Sequence, residues 1–97
     1  MAAYIIARVN VTDPEQYETY KTLASAAIAK HGGKYLARGG ETVTLEGTDD
    51  GLRVVILEFS NLDAAKAFFD SPEYLEARNA RATAADGHFI AVDGYQP

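Results

Sequence analysis

"LRVVILEF", residues Leu52 to Phe59, is the stretch on which the fold turns. As a strand it sets Val54 and Ile56 on one side and Val55, Leu57 and Phe59 on the other, so its centre is apolar on both faces. Such a strand sits inside a sheet and has to be covered twice. A chain of 97 residues has helices enough for one face. The second face calls for another sheet, most simply that of an identical subunit in a twofold dimer.

Upstream, "AYIIARVNV" (residues 3–11) alternates, with Ile5, Ala7, Val9 and Val11 on a cleanly apolar side and Tyr4, Ile6, Arg8 and Asn10 on a mixed one. "TDPEQ" then starts a helix: Thr12 or Asp13 can cap it and Pro14 suits its first turn. The helix should run to about His31, with Tyr17, Tyr20, Ala24, Ala27, Ile28 and His31 on the side that packs on the sheet. Gly32 supplies the left-handed residue that ends it.

"KYLARGGETVTLEG" (residues 34–47) reads as one long strand interrupted at Gly39-Gly40, and "EGTDDG" as the turn into Leu52–Phe59. Downstream, Ser60 or Asn61 caps one helix, whose apolar side is Leu62, Ala65, Phe68 and Phe69. Ser71-Pro72-Glu73 starts a second helix, with Tyr74, Leu75, Arg78 and Ala82 on roughly one side. Asp86-Gly87 closes it, and "HFIAVDGYQ" alternates as the last strand. The order βαββαβ, with one short helix inserted, predicts a single α+β domain over residues 1–97. Its sheet is ferredoxin-like, four-stranded and antiparallel, with the first and third strands central.

Composition narrows the function classes. Apolar residues make up 47% and charged residues 24%, a balance that fits a packed domain and not a disordered chain. A net charge of −5, with nine Lys and Arg scattered along the chain, argues against nucleic acid as a partner. The absence of cysteine excludes disulfides, thiolate nucleophiles and thiolate metal sites. No apolar run is long enough to span a bilayer and the N-terminus has no secretory pattern, so a cytoplasmic protein without membrane partners is expected. Two histidines, His31 and His88, lack carboxylates at ligand spacing, and no nucleotide-binding glycine loop or Ser-His-Asp arrangement is present. Neither a metal nor another cofactor is expected.

"AYIIARVNVTDPEQYETY", "HGGKYLARGGE", "VVILEF" and "FFDSPEYLEARNAR" together carry a resemblance over nearly the whole chain. "ARGGE" (37–41) and "DSPEY" (70–74) are its most specific parts in combination. The chain resembles Domain of Unknown Function family 1330, within the dimeric α+β barrel superfamily. The resemblance implies a ferredoxin-like protomer whose sheet packs on its twin to form a barrel. Superfamily relatives include cofactor-free antibiotic-biosynthesis monooxygenases, muconolactone isomerase-like enzymes, haem-binding chlorite dismutase-like proteins and stress-responsive barrels, among which fold does not choose.

Candidate site residues follow from strand pairing. Counting back from the "EGTDDG" turn sets Gly39-Gly40 opposite Glu58 and brings Arg38 within reach of it, while Arg8 shares the mixed sheet face with Glu58. Arg38, Glu58 and Arg8 are therefore expected to form a polar cluster. In a functional site Arg38 receives a carboxylate or enolate oxygen and Glu58 or His31 handles a proton. Tyr17, Tyr20 and Tyr74 then wall a pocket between helices and sheet. The expected function is a homodimeric barrel that binds a small aromatic or anionic metabolite, with cofactor-independent enolisation or monooxygenase-like chemistry. The alternative is a non-catalytic dimer module in which the Arg and Glu cluster serves only fold and pairing.

Overall fold

Capping sets the helix starts, and a computed structural model describes all residues, Met1 to Pro97. Helix α1 spans Pro14–Lys30, and the Asp13 side chain accepts from the Gln16 N–H at 3.2 Å. Asn61 does the same for α2, Leu62–Phe69, accepting from Ala64 N–H at 2.7 Å. Ser71 caps α3, Pro72–Arg81, and also donates to the Phe68 carbonyl at 2.7 Å, which ties the two short helices at a fixed bend. Gly32, at φ 74°, ends α1 as its sequence position predicts.

The strands are β1 (Ala3–Val11), β2 (Lys34–Arg38), β3 (Arg53–Phe59) and β4 (Ala85–Asp93). They form one antiparallel sheet in the order β2-β3-β1-β4, so the first and third strands are central as expected. The helices pack on the face bearing Ile5, Ala7, Val9, Val55, Leu57 and Phe59. Tyr17, Tyr20, Ala24, Ala27 and Ile28 of α1 complete the core with Phe68 of α2 and Tyr74 of α3. An aromatic chain runs through it: Phe59 to Phe68 at 4.9 Å between ring centres, and Phe68 to Tyr74 at 4.5 Å. Phe59 and Phe68 are both fully buried, and truncating either to Ala costs about 3–5 kcal/mol.

The opposite face of the sheet has no covering layer. It carries Tyr4, Ile6 and Arg8 of β1, Val54, Ile56 and Glu58 of β3, and His88, Ile90 and Val92 of β4. Ile90 and Val92 are 47% and 43% exposed, which is high for aliphatic side chains in a sheet.

Three expectations fail here. The long second strand stops at Arg38, and residues 41–52 form no ladder with β3; the alternation of "TVTL" leaves Val43 74% and Leu45 94% exposed. Asp86 and Gly87 lie inside β4, opposite Asn10 and Val9, and do not close α3. The bend is made at residues 82–84, where the Ala84 carbonyl accepts from the Thr12 and Asp13 N–H groups at 2.8 and 3.0 Å. Leu75, finally, is 49% exposed, and α3 turns Tyr74 and Ala77 inward.

Candidate functional site

A β-bulge decides where Arg38 points. Tyr35 stands opposite Leu57, but Ala37 stands opposite Ile56 and Arg38 opposite Val55, so Leu36 is an extra residue in β2. Regular pairing would put Tyr35 and Arg38, three positions apart, on opposite faces. With the bulge both face the helices. The Arg38 Nη2 donates to Ser25 Oγ of α1 at 3.2 Å, and the guanidinium lies 4.6 Å from the centre of the Tyr35 ring.

The expected Arg38, Glu58 and Arg8 cluster therefore does not form. Glu58 stays on the uncovered face opposite Lys34, with 3.6 Å between its carboxylate and Lys34 Nζ. Arg8, on that face of β1, pairs with Asp50 in the 41–52 segment. The error was the pairing register: with no hairpin through residues 41–52, counting back from the turn fails, and the bulge moves Arg38 to the other side.

Arg53, the first residue of β3, takes the place assigned to Glu58. It faces the helices beside Val55, and its guanidinium carbon is 5.7 Å from the centre of the Tyr17 ring. Its side chain crosses Gly39, where an added Cβ would collide with the guanidinium and where φ is 65°. Gly39 thus does two jobs: it turns the chain out of β2, with its N–H donating to Val54 at 2.9 Å, and it clears the path of Arg53. The Arg53 Nε is buried and has no acceptor. Sequence reading missed Arg53 because it sits at a strand end; the available signal was its position one alternation from Val55.

Together these groups line a cavity of about 30 Å³ between α1, the short helices and the sheet. Its wall is aromatic and aliphatic, including Tyr17, Tyr20, Tyr35 and Tyr74, and its charged members are Lys21, Arg38 and Arg53. No carboxylate lines it. In a chain of net charge −5 this is a local reversal of sign.

Tyr20 and Tyr74 meet within this wall, their hydroxyl oxygens 2.7 Å apart and both residues buried. Burial, and for Tyr20 also its partner, holds both phenols well above the usual tyrosine range, so both keep their protons at neutral pH. The Arg81 guanidinium lies 5.4 Å from the Tyr20 ring centre and 4.2 Å from that of Phe89, with one buried nitrogen, Nη1, unpaired.

His31 stands elsewhere. It follows α1 and its Nε2 meets the Glu73 carboxylate of α3 at 2.7 Å, with Lys30 adding a contact at 3.6 Å. The hydrogen bond from His31 holds the Glu73 carboxyl below its ordinary value. Of the residues singled out from sequence, the fold brings Arg38, Tyr17, Tyr20 and Tyr74 to the cavity and leaves Arg8, Glu58 and His31 outside it. No group of His, Asp and Glu side chains converges at metal-binding distance.

The family model for Domain of unknown function (DUF1330) matches residues 2–95. The chain belongs to the DUF1330 family. Among solved structures it is similar to RPA0582 of Rhodopseudomonas palustris, a protein of unknown function, at 23% identity and a TM-score of 0.77, covering 99% of this chain and 84% of that one. It is also similar to SnoaB, a cofactor-independent oxygenase from Streptomyces nogalater, at 18% identity and a TM-score of 0.70, over 99% of this chain and 95% of SnoaB. A dimeric ferredoxin-like protein of unknown function from Thermobifida fusca shares 19% identity at a TM-score of 0.60, over 97% and 92% of the two chains. These likenesses place this DUF1330 chain in the ferredoxin-like fold. No curated protein sequence matches it.

Proposed function

We propose that this DUF1330 protein is a homodimer that binds a small aromatic anion in the cavity between helices and sheet, and that it acts on the enolate or phenolate form of that ligand without a cofactor. The observation that carries the reading is the lining: aromatic walls whose only charged groups are Arg38, Arg53 and Lys21. An aromatic body satisfies the walls, and a carboxylate or enolate oxygen gives Arg53 the acceptor its buried Nε lacks. Cations on an apolar cavity wall stabilise the deprotonated ligand, which is the electron-rich form that reacts with dioxygen in cofactor-free oxygenation. The likeness to a cofactor-independent oxygenase supports this chemistry. Glu58 and His31 lie outside the cavity, so the ligand's proton leaves to water and not to either of them.

The uncovered sheet face supports the dimer. Ile6, Ile56, Ile90 and Val92 make it apolar, and Val43 and Leu45 are exposed on the segment that Asp50 ties to Arg8. A second copy would bury that face. Dimeric proteins of the same fold support the same conclusion.

The size of the cavity favours a second reading, a non-catalytic dimer module. About 30 Å³ holds water and not an aromatic ring. Ligand entry therefore needs the mouth to open, and exposed Arg38, held by one hydrogen bond to Ser25 and its stacking on Tyr35, is the group able to swing. Native mass spectrometry of the protein against a metabolite extract, repeated with Arg53→Met, separates the two. A dimer carrying a small anion that the folded variant loses is the expected result. A dimer that stays empty across the extract overturns ligand binding in favour of the module.

A further inference from the structure

We propose that the Tyr20–Tyr74 hydroxyl pair is a second polar anchor of the cavity, a donor site that takes a neutral carbonyl oxygen of the ligand while Arg53 holds its anionic end. The inference rests on the ligand-binding reading above and adds to it the chemical class: an aromatic carboxylate or enolate that carries a separate carbonyl acceptor.

Counting protons carries the argument. Two phenols bring two O–H donors, and the bond between Tyr20 and Tyr74 uses one of them. Whichever hydroxyl accepts, its own proton has no acceptor, because neither oxygen makes another hydrogen bond. Tyr20 and Tyr74 are 8% and 2% exposed, so bulk water does not supply one. A buried donor left without an acceptor is costly. Both residues line the cavity wall, as does Arg53, whose buried Nε is also unpaired.

Unmet donors on residues of one cavity wall, with no carboxylate among the lining groups, specify the complement. A group facing the tyrosines has only to accept a hydrogen bond, and an uncharged carbonyl oxygen does so once the ligand's single charge is placed elsewhere. The charged end goes to the guanidinium, whose paired N–H groups match a carboxylate or enolate. An alkyl group in place of the carbonyl would leave the spare phenol proton unmet and be rejected.

The test uses 3- and 4-acetylbenzoate, each compared with the isopropylbenzoate of the same substitution, which keeps shape and charge and removes the acceptor. Binding is measured calorimetrically to the wild-type dimer and to the double variant Tyr20→Phe/Tyr74→Phe. Replacing both partners by rings of the same shape leaves the fold nearly unaffected. At least one acetylbenzoate should bind about tenfold more tightly than its isopropyl partner, and the double variant should lose that preference while still binding both. Equal binding of each pair to the wild type, or a preference that survives in the double variant, overturns the tyrosine anchor and leaves the ligand site standing. Failure of every benzoate to bind the wild type overturns the ligand site and the anchor with it.

Discussion

The guanidinium of Arg53 occupies the space where a side chain on Gly39 would begin. Two loop-side residues 14 positions apart, counted from 39 to 53, are thereby locked into one local arrangement at the mouth of the cavity. Gly39→Ala has to displace Arg53 and adopt a left-handed backbone, which costs about 1–2 kcal/mol for a residue with a Cβ. Urea unfolding should show that loss. The variant should also bind benzoates more weakly than wild type does, because Arg53 no longer lies across the cavity; unchanged affinity would separate Gly39 from the site.

The tyrosine pair should give strongly non-additive stabilities. Tyr20→Phe or Tyr74→Phe alone leaves the surviving hydroxyl without its partner and should cost about 1–3 kcal/mol. The double variant should cost less than the sum of the two single ones. A double-mutant cycle by chemical denaturation checks this, and simple additivity would mean that the hydroxyls contribute independently.

The contact between His31 and Glu73 predicts an acid-side loss of stability. The folded-state carboxyl of Glu73 lies below its ordinary value of 4.5, chiefly through the hydrogen bond from His31. A depressed folded value means stabilisation that is present above the unfolded-state pKa and disappears as pH falls through the folded one. Wild type should therefore exceed Glu73→Gln in urea midpoint at neutral pH, and the two should converge in the acid range below 4.5. A gap that is independent of pH would contradict the assignment.

Ile56 sits at the middle of the uncovered face, opposite Ile6, with Ile90 on the far side of β1. If the proposed dimer forms through this face, Ile56→Glu should give a monomer by light scattering at micromolar concentration where wild type gives a dimer, since an unpaired charge cannot be buried between two sheets without large cost. A variant that stays dimeric would place the interface elsewhere.

Much of this was legible in the sequence. Asp13, Asn61 and Ser71 announce their helices through short polar side chains placed before prolines or apolar runs, which are local signals. The burial of Tyr17, Tyr20 and Ala24 follows from helical spacing alone. The strand order follows because the doubly apolar β3 has to be central. The strand expected through residues 41–47 does not form because "ETVTLE" has the alternation of a strand without a neighbour to pair with. The cluster of Arg38 with Glu58 was misread for a related reason, since sheet register is a tertiary property and one extra residue reverses it. The tyrosine pair spans 54 positions, a distance over which periodicity carries no information.

The bulge at Leu36 gives β2 one position at which both composition and length are free. Leu36 is 51% exposed, and many side chains would serve there. Deleting it would leave Tyr35 and Arg38 two positions apart, the regular spacing of one sheet face, so Arg38 would stay opposite Val55 and keep its charge at the cavity mouth. Substitutions at this position and its single-codon deletion should both leave that surface charge where it is.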